Sequence, residues 1–100
     1  MLFAFLLVDR PGAAALRAEH RPAHKAYLAD VAERICVAGP LLSDDGGAMT
    51  GSLLVIDFDS RDAAVAWLRD EPFTRAGVYG RQDVHAMQNL WPQRAGAVAG

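Results

Sequence analysis

The chain has 100 residues, 52% of them hydrophobic, and 10 basic against 12 acidic side chains give it a net charge of −2. Nineteen alanines discount the apolar share, since they fill helices and bury little area, and the length suits one domain whose core needs no metal or disulfide. Arginines scattered from Arg10 to Arg94 form no basic stripe, which excludes nucleic acid as a partner; a lone cysteine, Cys36, points to a reducing cytoplasm, and no Cys/His cluster has zinc spacing.

Residues 2 to 8 are apolar on both alternating sets, Phe3/Phe5/Leu7 and Leu2/Ala4/Leu6/Val8, the pattern of a strand covered on both faces. The run stops at Asp9, lacks a basic leader and falls far short of the roughly 20 residues that span a bilayer, so neither a signal peptide nor a membrane span is expected. After Asp9-Arg-Pro-Gly12 an alanine-rich helical turn reaches about Glu19. Pro22 then marks a fresh start, because proline suits a first helical turn, and Tyr27, Leu28, Val31, Ala32 and Ile35 carry an amphipathic helix over about 22 to 34. Residues 35 to 40 read as a β-branched strand ended by Gly39-Pro40, and Ser43-Asp-Asp-Gly-Gly47 as an exposed connection.

Residues 52 to 58 form a second strand apolar on both faces. Ser60 with Asp62 starts a helix whose buried side holds Ala63, Ala64, Trp67 and Leu68 and which ends before Pro72. A turn through Gly77 leads to a last strand over about 78 to 91, with Val84, Ala86 and Leu90 in period two, and residues 92 to 100 offer nothing to pack and read as a flexible tail. The domain is thus 1 to 91. The order is β-α-β-β-α-β, a ferredoxin-like α+β fold with an antiparallel four-stranded sheet and two helices on one face. Strands apolar on both faces then need cover on the bare side of the sheet, and a homodimer through that sheet face supplies it.

Candidate chemistry sits on the helices. His24 precedes Tyr27 and Leu28 by three and four residues, on the apolar face, with Arg21 one turn earlier. It is either a core histidine satisfied by a backbone carbonyl or a working base. Extending the stripe Ala64, Trp67, Leu68 by one step reaches Glu71, a carboxylate where a core residue belongs; it either frays outward beside Pro72 or meets His24 across neighbouring helices. An imidazole oriented by a carboxylate is a general base near neutral pH. Arg21 is a candidate anchor for an anionic substrate group, and Asp9 and Ser52 are further candidate substrate-binding residues, each also explicable as a turn or strand-end residue. Cys36 reads as a small apolar residue, and His85 as exposed or facing a partner. No glycine pattern marks a phosphate site, so no cofactor is expected.

Arg21-Pro-Ala-His24, Ala38-Gly-Pro-Leu-Leu42, Gly51-Ser52, Glu71-Pro-Phe73 and Ala76-Gly-Val-Tyr79, in this order and spacing over residues 1 to 91, resemble the YciI family, the YCII-related domain. The resemblance implies a dimeric α/β barrel and a His/Asp active site whose histidine falls on His24. Where the family reads Asp-Pro this chain has Glu71-Pro72, one methylene longer, with Asp70 beside it as a substitute acid. The resemblance further implies proton-transfer chemistry, an elimination or isomerisation on a small cyclic or aromatic metabolite. The alternative is a non-catalytic ligand-binding or accessory dimer module.

Overall fold

Strand β1 (Leu2–Asp9) turns Phe3, Phe5 and Leu7 inward, where they are buried, and leaves Leu6 and Val8 on the other side. It is flanked by β3 (Met49–Asp57) and β4 (Tyr79–Met87), while β2 (Ile35–Leu42) pairs with the far edge of β3. The sheet order is β2-β3-β1-β4, and the pairings are all antiparallel. Helices α1 (Ala14–Ala29) and α2 (Arg61–Arg69) and a short α3 (Pro72–Ala76) complete a ferredoxin-like α+β arrangement. This computed structural model describes residues 1–91; the tail expected at 92 to 100 lies outside the described residues.

The core lies between sheet and helices. Ala64 and Leu68 from α2 and Leu28 from α1 close over Phe3, Phe5, Leu7, Leu54 and Ile56. A second cluster, Ala13, Phe73 and Val78, seats α3 against the start of α1. Each fully buried phenylalanine contributes about 1.5–3 kcal/mol. Ser60 caps α2 by accepting from the Ala63 N–H at 3.1 Å, as its position in sequence predicts.

Three expectations are corrected. The alanine-rich turn and the helix expected at 22 to 34 are one helix, α1, with Pro22 inside it. Pro22 and Ala18, whose carbonyl loses its N–H partner, are both exposed, so water takes the lost bond. The helix stops at Ala29, and a 3₁₀ turn over Ala32–Arg34 leads into β2. The turn expected before Gly77 contains α3, with Pro72 at its first position and Gly77 at φ 78 closing it. Finally, β4 ends at Met87 and not near 91, because Met87 pairs with Leu2, the first residue of β1, and the ladder has no partner beyond it.

Antiparallel partners share a face, so the uncovered side of the sheet carries Leu6 opposite Leu53, Ala4 opposite Val55 and His85, and Val37 opposite Val55. Leu6, Val8, Val37 and Leu53 stand there exposed. Among the described residues no helix is long and apolar enough to cross a membrane.

Candidate active site

The site forms where α1 and α3 meet above β3. Arg17 and His24 are seven residues apart on α1, two turns along one face, and both are buried. Glu71 is the residue before α3. Its backbone is extended, at φ −66 and ψ 134, and its Oε1 caps the short helix by accepting from the Phe73 N–H at 3.1 Å. The same Oε1 lies 2.6 Å from His24 Nδ1, a short bond between a carboxyl group with no exposed surface and an imidazole stacked at 4.0 Å on the Phe73 ring. Phe73 therefore holds the histidine ring plane while Glu71 holds its Nδ1 edge. With Nδ1–H donating to Glu71, the free lone pair is on Nε2. Glu71 Oε2 is buried without a partner among the described residues.

A second polar group centres on Arg17. Its Nε donates to Asp9 Oδ2 at 2.9 Å, and its Nη2 donates to the Gly51 carbonyl at 2.6 Å and to Ser52 Oγ at 2.7 Å. The guanidinium carbon sits 4.6 Å from the centre of the Phe73 ring. Tyr79 O–H donates to Ser52 Oγ at 3.1 Å. Burial first, and the nearby Glu71 carboxylate second, push the Tyr79 phenol above its ordinary range, so it remains a donor. Gly51 is required here, because a side chain at that position would collide with the Leu7 carbonyl of β1.

His24, Arg17 and Ser52 open onto one cavity of about 270 Å³ between α1 and the β2–β3 half of the sheet. Leu28, Pro40, Met49 and Leu54 supply its apolar wall, and Arg21 and Lys25 stand exposed at its rim. Among the described residues neither of these two cations has an ion-pair partner. Small-molecule sites run to about 300–1,000 Å³, so this volume suits a ligand of one ring. Among the described residues no three His, Cys, Asp or Glu side chains converge as metal ligands.

His24, Ser52 and Arg21 thus share one cavity, and Glu71 stands directly behind His24. Asp9 is not on that cavity; its carboxylate is spent on Arg17. Asp70 is exposed and pairs with Arg75 at 3.4 Å, which leaves Glu71 as the acid beside the histidine. Sequence reasoning missed Arg17, Phe73 and Tyr79. The two-turn spacing from Arg17 to His24 was available as a signal, but a helix taken to start at Pro22 excludes Arg17 from the stripe.

Residues 1–88 match the YCII-related domain family. Protein YciI of Escherichia coli O6:H1 and that of Shigella flexneri are each 34% identical over 98 residues, covering 91% of this chain and the whole of the relative. In three dimensions the chain is similar to 5-chloro-2-hydroxyhydroquinone dehydrochlorinase from Burkholderia phenoliruptrix, solved in complex with 2,5-dihydroxybenzoquinone. The TM-score is 0.84 and the identity 35%, over 88% of this chain and 94% of that one.

Proposed function

The chain belongs to the YCII-related domain family, and from that footing we propose that it is a cytoplasmic small-molecule enzyme using the His24–Glu71 pair for general acid–base chemistry, an elimination or isomerisation on a small cyclic or aromatic metabolite. The observation that carries this reading is the 2.6 Å bond from His24 to a fully buried carboxyl group, at the wall of a cavity sized for one ring. The dehydrochlorinase activity of the Burkholderia relative supports elimination from a hydroxylated ring.

In this mechanism Glu71 keeps the proton on Nδ1, and His24 Nε2 takes a proton from a substrate carbon. In an isomerisation the resulting imidazolium returns that proton to a second carbon; in an elimination an anionic leaving group departs with its bonding pair. Arg21, joined by Lys25, attracts an anionic substituent at the rim, Ser52 contacts the ring from the sheet side, and Asp9 holds Arg17 in place. A second copy of the chain covers the open sheet face and makes the protein a homodimer.

The test is chloride release from 5-chloro-2-hydroxyhydroquinone. Loss of a positioned base lowers the rate by roughly 10²–10⁴-fold, so His24→Ala is expected to do so while remaining folded by circular dichroism. Intact turnover with a sharply lowered melting temperature makes His24 structural and contradicts the reading. Binding of the ring by the wild type without chloride release favours the non-catalytic module.

A further inference from the structure

The space in front of His24 does not end at Met49. Beyond that side chain lies a second cavity of about 360 Å³, walled by Ala14 and Ala18 of α1 and by Gly47 and Ala48 of the β2–β3 connection, and the two cavities share Arg17, Arg21 and Met49. The loop wall is preformed. Asp45 Oδ1 accepts from the Ser43 O–H at 2.7 Å and from the Gly47 N–H at 2.9 Å, and the Ala48 N–H donates to Ser43 Oγ at 3.1 Å. Met49 is a soft partition: its unbranched side chain is exposed, and its one polar contact among the described residues is Sδ at 3.9 Å from Arg17 Nη1.

Apart from the two arginines, the walls of the second cavity are apolar. Arg17 is 5% exposed, and its Nη1 has no oxygen acceptor among the described residues, while Nε and Nη2 are committed to Asp9, Gly51 and Ser52. Arg21 has no ion-pair partner among them either. Ala14, Ala18, Arg21 and Lys25 follow at spacings of four, three and four, so they form one stripe of α1. Lys25 stands one turn past Arg21, about 6 Å further along the axis, and borders the first cavity but not the second. An apolar passage bordered by unanswered positive charge suits an anionic group carried on a short hydrocarbon arm.

We propose that the second cavity is a subsite for a carboxyalkyl arm, and that the site therefore takes rings whose carboxylate is held away from the ring on a short alkyl chain. The arm passes Met49 and lies against Ala18, and its carboxylate is answered by Arg21 and not by Lys25. The assignment rests on the reading of the His24 cavity as the ring site and deepens it. Arg21 and Lys25 thereby take different parts: Arg21 binds the arm, and Lys25 adds positive potential at the mouth of the first cavity. Met49 and Ala18 set how long and how wide an arm the site accepts.

Titration calorimetry with three resorcinol derivatives tests this. 3-(2,4-Dihydroxyphenyl)propanoate carries ring, arm and charge; 4-propylresorcinol lacks the charge, and 2,4-dihydroxybenzoate lacks the arm. The propanoate is expected to bind about 10-fold more tightly than either, the factor that two buried methylenes or one hydrogen bond to a charged group supplies. Arg21→Gln is expected to remove the advantage over 4-propylresorcinol and Lys25→Gln to keep it; both positions are exposed, so both variants fold. Ala18→Leu narrows the second cavity and is expected to remove the advantage over 2,4-dihydroxybenzoate. A wild type that binds the propanoate no better than the other two overturns the proposal. So does an advantage that survives Arg21→Gln and is lost in Lys25→Gln, which places the carboxylate at the mouth of the first cavity, and so does one that Ala18→Leu leaves intact. Nitrogen-15 signals of the His24 ring separate this from the reading beneath it: signals that move on binding without any preference for the arm overturn the subsite alone, and signals unmoved by all three compounds overturn the ring site and the subsite together.

Discussion

Glu71 serves two donors through one oxygen, the Phe73 N–H that begins α3 and the His24 ring, and it does so with no exposed surface. A residue that caps a helix and holds an imidazole ties local folding to the proposed chemistry, because the turn that places the carboxyl group is the turn the carboxyl group stabilises. Tyr79 has the same double character, donating to Ser52 and packing its ring edge-on against Phe73 at 5.9 Å. Its ionisation gives a pH prediction. The folded protein holds this phenol neutral above its ordinary value of 10.0, so above pH 10.0 the unfolded chain releases a proton that the folded state retains. Stability is therefore full below that value and falls as pH rises beyond it, by at most about 1.4 kcal/mol per pH unit for one phenol. Tyr27, raised by partial burial and by Asp70 and Glu71, adds a share of the same sign. Urea denaturation in alkaline buffers is expected to show this decline, made shallower but not abolished in Tyr79→Phe.

Elements place these residues with little slack. The approach of β1 to β3 at Leu7 and Gly51 puts the Gly51 carbonyl and the Ser52 hydroxyl beside Arg17. A methyl group at position 51 meets the Leu7 carbonyl and forces the strands apart. Overpacking of this kind costs about 1–3 kcal/mol, so Gly51→Ala is expected to lower the midpoint of thermal unfolding by several degrees; an unchanged midpoint means the strands separate freely there. What the sequence made legible follows from periodicity. β1 and the apolar faces of β3 and α2 show several repeats each, and the inward positions of His24 and Glu71 follow from the stripes they interrupt. α3, at five residues, is too short to show a period, and Pro22 read locally as a start because its tolerance depends on an exposed helix face that only the tertiary structure supplies. Asp9 was legible as polar but not as the partner of Arg17, a contact made across eight residues by the fold.

On the scale of the molecule, the helices cover one side of the sheet and leave Leu6, Val8, Val37 and Leu53 on the other. An apolar composition that exceeds what the chain's own helices can cover is accounted for if this face meets its equivalent in a second copy. Leu53→Glu places a charge at the centre of that face, opposite Leu6. Light scattering is expected to give twice the chain mass for the wild type and the single mass for Leu53→Glu, with circular dichroism unchanged; a monomeric wild type at micromolar concentration contradicts the dimer. The cavity lies on the helix side of the sheet, so the dimer face and the candidate site do not compete for the same residues. The claim on which the rest depends is the orientation of His24 by Glu71, and nitrogen-15 NMR of the histidine rings reads it most directly. At a pH where the ring is neutral, His24 is predicted to carry its proton on Nδ1, strongly deshielded by the short bond to Glu71, with Nε2 bare; a proton on Nε2 and a bare Nδ1 would contradict the account.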